Sequence, residues 1–192
     1  MRDSQSGFTL IELMVTLSIV AILLSLSVGM QELVMNNRRA AAINEFIAAI
    51  NFTRNDAITR GQQVSMCRSA NQTSCANGAG WEDGWIIFLD RTNPGVLDDA
   101  DPWDADPAEP NGEVLKIHGP VTGLTLRGNA NVANFISYNA GGSAFTPPTN
   151  GTIMACDSRG LGTAPNFHAR RIVIATTGRM NTIKAKAGDI CP

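Results

Sequence analysis

The stretch Gly7-Phe8-Thr9-Leu10-Ile11-Glu12-Leu13 opens an apolar run that continues to about Met30. Within residues 8–30 the only charged side chain is that of Glu12, and the other polar side chains are small Ser and Thr. At about 1.5 Å of rise per residue, a helix of this length spans the ~30 Å hydrocarbon core of a bilayer. The run therefore predicts a transmembrane helix with one carboxylate near its start.

Two simpler interpretations of this run leave features unexplained. A secretory signal peptide has a positively charged start, a shorter apolar run and a small-residue cleavage site. Here residues 1–7 carry one Arg and one Asp, and no Ala-x-Ala sequence follows Met30. A plain anchor does not account for Glu12, because a charge near the bilayer centre costs at least ~2.5 kcal/mol and usually has a partner. A newly formed amino terminus would supply the partner cation.

Residues 7–12 resemble the class III signal of type IV pilins and type II secretion pseudopilins. In that family a prepilin peptidase cleaves after the Gly, and the new Phe amine is methylated. The Glu supports filament assembly by pairing with the amine of a neighbouring subunit. The resemblance implies cleavage between Gly7 and Phe8, and it identifies Glu12 as the assembly carboxylate.

The pattern after Met30 predicts that the helix continues to Arg60. Apolar residues recur mostly at three-, four- and seven-residue spacings, and Gly61 supplies a stop. A helix from Phe8 to Arg60 would be roughly 80 Å long. The predicted segments are a leader (1–7), a transmembrane half of the helix (8–30), an amphipathic half (31–60) and a globular domain (61–192).

Short β-like runs separated by Gly, Pro and Asn follow the helix. Because no helical pattern lies between them, they predict an antiparallel sheet or small sandwich, and the whole chain an α+β type IV pilin fold. We expect Trp81, Trp85 and Phe88 in the core, on a strand that borders the helix. The predicted strands are residues 63–68, 85–90, 113–118, 124–127, 135–138, 152–156, 171–176 and 180–185.

Four cysteines, Cys67, Cys75, Cys156 and Cys191, permit three disulfide pairings. A domain translocated across the inner membrane lies where disulfides persist. We favour Cys67–Cys75 and Cys156–Cys191, because each would staple an irregular segment, and the other two pairings stay open. A zinc site is not favoured, since no Cys-x-x-Cys is present and the two histidines lie at no ligand spacing.

Charge is distributed unevenly although the net charge is only −2. Ten of the seventeen acidic residues lie within residues 82–113, whereas residues 114–192 hold eight Lys or Arg and two Asp. The acidic segment contains prolines and clustered like charges, so it predicts a solvated loop. Some pseudopilins bind calcium, and the weak calcium candidates here are Asp99, Asp101, Asp104 and Asp106, although the EF-hand pattern is absent.

Segments of the globular part resemble the GspH/FimT group (the FimT/FimU family) of minor pilins and pseudopilins. The resemblance covers nearly the whole chain, and it favours the pilus members, which commonly carry such cysteine pairs. The segments are Ala57-Ile58-Thr59-Arg60-Gly61 leading into Val64-Ser65-Met66-Cys67, Trp81-x-x-Gly84-Trp85 with Phe88 and Asp90, Cys156-Asp157-Ser158-Arg159-Gly160 and Thr177-Gly178-Arg179.

Two pilus roles follow from this resemblance. A minor subunit of the tip complex primes pilus assembly, whereas a DNA receptor for natural transformation uses, in the FimT branch, a Gly-Arg-x-Arg motif near the C-terminus. Here Gly178-Arg179-Met180-Asn181 keeps only the first Arg. Lys184 and Lys186 would share one face of a strand, and such residues could bind phosphates without sequence preference. The candidate DNA-binding residues are Arg170, Arg171, Arg179, Lys184 and Lys186.

We predict a minor pilin that promotes pilus assembly, with a DNA receptor and a type II secretion pseudopilin as alternatives. The precursor is expected in the bacterial inner membrane with a periplasmic globular domain, and later in a pilus at the cell surface. Its implied partners are other minor and major pilins, prepilin peptidase, the inner-membrane assembly machinery, inner-membrane lipid and, for the receptor alternative, double-stranded DNA. No cofactor or enzyme activity is predicted, because no acid, base and nucleophile set stands out.

Overall fold

A computed structural model describes residues 7–75, 78, 80–90, 95–97, 114–144 and 150–191, apart from the side chains of residues 26–29. The chain divides into two compact units, Met1–Arg38 and Arg39–Pro192. We refer to them as the first and second units. The four calcium candidates between Asp99 and Asp106 lie outside the described residues.

The main element of the first unit is the helix α1 (Leu10–Arg60), which continues into the second unit. Its start differs by two residues from the prediction, because Thr9 precedes the first helical residue as a cap. The most apolar 18-residue window of α1 has a mean hydropathy of 2.4, and none of that window is buried. By length and composition α1 can cross a bilayer, and its apolar side chains need lipid or other helices around them.

The helix α1 ends where the sequence predicts. Gly61 has a φ of 66°, a left-handed conformation that costs glycine little. The amide of Gly61 donates to the Ile58 carbonyl at 3.3 Å, and the amide of Gln62 donates to the Ala57 carbonyl at 3.2 Å. These two bonds form a Schellman motif, which satisfies the last carbonyls of the helix and turns the chain into the first strand.

Two four-stranded antiparallel sheets make up most of the second unit. The strands are β1 (Val64–Arg68), β2 (Trp85–Leu89), β3 (Val114–His118), β4 (Thr125–Gly128), β5 (Phe135–Tyr138), β6 (Gly151–Cys156), β7 (Gly162–Thr163), β8 (Asn166–Phe167), β9 (Arg170–Ile174) and β10 (Met180–Lys184). The first sheet has the order β3-β2-β1-β5, and the second has the order β10-β9-β6-β4. Two short strands form a separate hairpin, β7-β8.

One hydrophobic core joins the second half of α1 to both sheets. Phe46 of α1 is fully buried, and its ring meets Trp81 and Trp85 edge to face at centroid distances of 5.5 and 5.2 Å. Leu126 and Ile172 of the second sheet belong to the same cluster. Because the helix contributes every third or fourth residue, its amphipathic pattern places one face against the sheets.

All eight predicted strands are confirmed within two residues, and three details differ. Trp81 is buried, but it lies in a short 3₁₀ helix (Trp81–Asp83) rather than on a strand. Phe88 is buried in a second cluster with Cys67 and Ile86, since alternate residues of β2 face opposite sides of the sheet. The β7-β8 hairpin was not predicted, because two-residue strands leave no alternating pattern to detect.

The structure joins Cys67 to Cys75 and Cys156 to Cys191, which is the pairing favoured from the sequence. The first disulfide closes the segment that follows β1. The second ties the end of the chain to the end of β6, beside a small buried cluster that contains Ala169 and Ala185. Both disulfides therefore fix irregular segments to strands.

We expect Phe46→Ala to lower the free energy of unfolding of the second unit by about 3–5 kcal/mol, since it removes a fully buried ring. The matched control is Phe52→Ala on the same helix, where the ring is 37% exposed and touched by Lys116. That variant should cost less than about 1 kcal/mol. Urea unfolding followed by tryptophan fluorescence measures both, and equal losses would contradict the described core.

Candidate functional sites

The first turn of α1 is closed by a reciprocal capping box between Thr9 and Glu12. The Glu12 amide donates to Thr9 Oγ1 at 3.3 Å, and the Thr9 amide donates to Glu12 Oε2 at 3.2 Å. Thr9 Oγ1 also donates to Glu12 Oε2 at 3.1 Å. The sequence signature of this arrangement is Thr-x-x-Glu before an apolar run. This signal was available in the sequence, where Glu12 was interpreted as a membrane charge and as the assembly carboxylate but not as part of a helix cap.

The capping box directs the Glu12 carboxylate back towards Thr9, the residue that follows Phe8. Gly7 is exposed, and a side chain added there would meet nothing within 4 Å, so the peptide bond between Gly7 and Phe8 is accessible. Cleavage at that bond would create an amine on Phe8, four residues before Glu12. The bonds to Glu12 come from uncharged donors, which leaves its charge to be neutralised by a cation.

A second polar site lies in the second unit and joins α1 to the loop after β6. Arg39 Nη1 donates to Asp157 Oδ2 at 3.3 Å and also to the backbone carbonyl of His168. Arg159 donates to the same carboxylate, with Nη2 2.5 Å from Asp157 Oδ2 and Nε 3.1 Å from Oδ1. The Asp157 side chain is only 5% exposed. The Cys156-Asp157-Ser158-Arg159-Gly160 motif is thus a turn that holds the helix through one buried carboxylate.

The charges of this site shift two pKa values. Burial alone would raise the pKa of Asp157, but hydrogen bonds from Arg159 and the charges of Arg159 and Arg39 outweigh burial and lower it. The pKa of Arg39 is lowered mainly by burial, and the nearby positive charges of Arg159 and Arg170 lower it further, against the attraction of Asp157. The carboxylate form of Asp157 is therefore the form that the fold requires.

The Thr177-Gly178-Arg179 motif forms the turn between β9 and β10. Gly178 has a φ of 79°, and a side chain there would collide with the Gly142 carbonyl. Arg54 of α1 donates to the Gly142 carbonyl at 2.8 Å and to the Thr177 carbonyl at 3.4 Å. The glycine is therefore required by the packing of two loops against the helix, whereas the Arg179 side chain is exposed.

The five candidate DNA-binding residues do not share one surface. Arg179 immediately precedes β10 and Lys184 is its last residue, so the two are about 17 Å apart at 3.4 Å per residue. Arg171 pairs with Asp189, at 3.7 Å between Nε and Oδ2, and faces away from its neighbour Arg170. Lys186 lies beyond the end of β10, so strand alternation does not place it on the same face as Lys184.

The two histidines lie in unrelated environments. His118 stacks on Trp85 with ring centroids 4.0 Å apart, and its Nε2 is 2.7 Å from Glu45 Oε1. His168 contributes its backbone carbonyl to Arg39. Within the part of the chain that the structure describes, no group of three or more His, Cys, Asp or Glu is arranged to hold a metal ion.

We expect Asp157→Asn to destabilise the second unit by about 3 kcal/mol at neutral pH, because two arginines lose a buried counter-charge. A carboxylate with a lowered pKa stabilises the fold above its unfolded pKa of about 3.9, and this stabilisation is lost as the pH falls through the folded pKa. The difference between wild type and variant should therefore shrink below about pH 4.

Urea unfolding at a series of pH values measures this difference. The control is Asp56→Asn, which breaks the exposed pair of Asp56 with Arg60 one helical turn away. That change should cost no more than about 0.5 kcal/mol. A difference between wild type and Asp157→Asn that stays constant from neutral to acid pH would contradict the role given to the carboxylate.

Comparison with known proteins places these features in one family. Residues 42–178 match the family model described as Type II transport protein GspH. Residues 2–28 match the family model described as Prokaryotic N-terminal methylation motif. Among curated proteins, none matches this sequence. The first model covers more than half of the chain and the second covers the segment of Gly7, Phe8 and Glu12.

Two crystal structures of a type IV minor pilin show the same fold. The type IV minor pilin FimU of Pseudomonas aeruginosa has a TM-score of 0.56 with 20% identity, over 81% of this chain and 96% of FimU. A second crystal form of FimU gives 0.54 with 21% identity, over 80% and 99% of the two chains. The minor pseudopilin EpsH of the type 2 secretion system of Vibrio cholerae gives 0.42 with 15% identity, over 77% and 97%.

The predicted α+β type IV pilin fold is therefore confirmed, as a long N-terminal helix packed on antiparallel sheets. The family and the structural neighbours are structural subunits of filaments. This chain belongs to the GspH family, as a type IV pilin-like minor pilin or pseudopilin with an N-terminal methylation motif.

Proposed function

We propose that this protein is a minor pilin of a type IV pilus, anchored in the inner membrane by α1, which joins the tip complex that primes pilus assembly. The observation that carries the proposal is Glu12. It is the one charge within residues 8–30, and it lies one helical turn after the accessible bond between Gly7 and Phe8. A lone carboxylate in such a helix needs a cation, and an N-terminal amine is the nearest kind of cation that processing creates.

Processing comes first in the proposed mechanism. Prepilin peptidase removes residues 1–7, the new Phe8 amine is methylated, and the second unit lies in the periplasm. In this state the capping box supplies Glu12 with hydrogen bonds at 3.2 and 3.1 Å from Thr9, which lowers the cost of holding the carboxylate in the membrane. The helix then leaves lipid for a bundle of equivalent helices, where the amine of a neighbouring subunit neutralises Glu12.

The exposed apolar surface of α1 supports the same mechanism. Large side chains from Leu10 to Leu24 are each about half exposed or more, with Leu10 at 77% and Leu24 at 64%. Such a surface is stable in lipid and equally in a bundle of other apolar helices. Because both environments are apolar, transfer between them costs little free energy. Pairing of Glu12 with an amine can then shift the equilibrium towards the filament.

A pilus role is preferred to a secretion role for two reasons. The FimU structures are those of a type IV minor pilin, and we extend that role to this chain as part of the proposal. Two disulfides stabilise the second unit, and the resemblance associates such pairs with pilus members. The separation of Arg179 from Lys184 gives no support to a single DNA-binding surface, so we do not propose the receptor role.

We expect Glu12→Ala to leave the protein folded and inserted but to reduce its incorporation into pili by about tenfold or more. A charge-assisted hydrogen bond contributes about 1.5–3 kcal/mol, and 1.4 kcal/mol corresponds to a factor of ten. The measurement is the ratio of protein in sheared pili to protein in the membrane fraction. Glu32→Ala, an exposed acid later in the same helix, is the control and should behave as wild type. Normal incorporation of Glu12→Ala would contradict the proposal.

Replacing Gly7 by Leu should block processing, because the peptidase of this family recognises the glycine before the cleaved bond. Mass spectrometry of the membrane-bound protein should then find the precursor, heavier than the mature chain by the seven-residue leader. The unmodified chain should begin at a methylated Phe8. An unmodified chain that retained residues 1–7 in a strain with active prepilin peptidase would refute the assigned cleavage site.

A further inference from the structure

Four basic residues are linked in a chain of neighbours that begins at the Asp157 carboxylate. Arg39 and Arg159 both bind Asp157, and Arg170 is close enough to Arg39 to lower its pKa. Lys184 lies directly opposite Arg170 in the β9-β10 pair. We call Arg39, Arg159, Arg170 and Lys184 the Arg39 cluster. Together with Asp157 it carries a net charge of about +3.

The pairing of Arg170 with Lys184 is unfavourable by itself. The Ala185 amide donates to the Ala169 carbonyl at 3.1 Å, so the next pair along, Lys184 and Arg170, is one without mutual backbone hydrogen bonds. In such pairs the side chains stand closest, and like charges directly opposite each other destabilise a sheet. Among the residues that the structure describes, neither side chain forms an ion pair with an acid, and Asp157 is already bound by Arg39 and Arg159.

Within the described part of the chain, the Arg170 and Lys184 pair therefore adds positive charge that no ion pair offsets, and an external anion would offset it. It differs in this from Arg171, one residue away on the opposite face, which has Asp189 beside it. Arginine and lysine together suit phosphate, since the guanidinium offers paired donors and the ammonium a compact charge. The chemistry of the cluster thus indicates a phosphate-bearing partner.

The position of Arg39 along the chain indicates that the phosphates of lipid headgroups are available to the cluster. Arg39 follows Met30, the end of the apolar run, by nine residues, or about 14 Å of helix. The polar zone of a bilayer extends about 5–8 Å beyond its hydrocarbon core, and the surface potential reaches about 8 Å further at physiological salt. Leu33 and Val34 are exposed apolar residues between these two points. Arg39 is therefore within electrostatic reach of lipid headgroups whenever the helix is inserted.

Arg54 lies farther along the same helix. It follows Arg39 by fifteen residues, or about 22 Å of α1. Arg54 donates to the Thr177 carbonyl, in the turn that also contains Arg179. Of the two arginines, Arg39 is therefore the nearer along the helix to the membrane-spanning run.

We propose that the Arg39 cluster binds the phosphate headgroups of anionic phospholipids and brings this part of the second unit to the membrane surface before assembly. The proposal rests on the proposed anchoring of α1 in the membrane, and it does not depend on whether the filament is a pilus or a secretion pseudopilus. Extraction of the subunit into a filament would break these contacts, so lipid binding would compete with assembly.

Hydrogen exchange of the full-length chain in nanodiscs tests the proposal. One set of discs contains phosphatidylcholine alone, and the other contains phosphatidylcholine and phosphatidylglycerol in equal parts. We expect amides of residues 157–160 and 168–171 to exchange severalfold more slowly in the anionic discs. This protection should disappear in 1 M salt, where the Debye length falls to about 3 Å. Equal exchange in the two kinds of disc would overturn the proposal.

Charge-neutralised variants identify the residues responsible. The double variant Arg170→Gln, Lys184→Gln should lose the lipid-dependent protection, and removal of the like-charge pair should not lower its melting temperature. Arg179→Gln, at the turn that Arg54 contacts, is the matched control and should keep full protection. Loss of protection in the control variant, or its retention in the double variant, would contradict the assigned site.

The last part of the experiment distinguishes binding of lipid phosphate from binding of soluble phosphate. Inorganic phosphate added to the phosphatidylcholine discs should leave exchange unchanged, because the lipid supplies many phosphates fixed at the right height. Equal protection by inorganic phosphate would overturn the lipid assignment and leave a soluble-anion site. Failure of the proposed function can be distinguished from failure of lipid binding. Exchange is measured on single inserted chains, so normal assembly of Glu12→Ala would contradict the proposed function without affecting these measurements.

Discussion

The burial of one face of α1 against two sheets is the interaction on which the second unit depends. Phe46 sits at its centre, with both tryptophans of the Trp81-x-x-Gly84-Trp85 motif against its ring. The same core contains Leu126 and Ile172 of the second sheet, so this buried cluster joins the helix to both sheets. Arg39 and Arg54 then fix the two ends of this contact, through Asp157 and through the Gly142 carbonyl. The polar contacts thus set the register of a helix that apolar packing holds in place.

The first unit follows the opposite rule, because among the described residues none of its most apolar 18-residue window is buried. Side chains from Leu10 to Leu24 are exposed, and Glu12, the one acid within residues 8–30, caps its own helix through Thr9. A helix of this kind is incomplete until lipid or other subunits surround it. The two halves of α1 therefore have different roles. The second half holds the second unit together, and the first half makes the chain a subunit of a larger assembly.

Local patterns in the sequence were enough to predict the helix, all eight long strands and the N-terminal motif, because each depends on residues close together in the chain. The Schellman stop at Gly61 is one example. The division of the strands into two sheets was not predictable, since pairing brings together distant segments. Arg39 and Asp157 are 118 residues apart in the sequence, and no local pattern near either residue predicts their contact. The opposite facing of Arg170 and Arg171 likewise depended on which strand face the core occupies.

The central claim is that this chain is an assembly subunit, and a strain that lacks only its gene tests the claim most directly. The measurement is the number of surface pili per cell, with transformation frequency and type II secretion recorded in the same strain. The account predicts that pili largely vanish, that transformation falls only as a consequence, and that secretion is unchanged. Normal numbers of pili would contradict the account: a loss of transformation alone would then favour a DNA receptor, and a loss of secretion a pseudopilin.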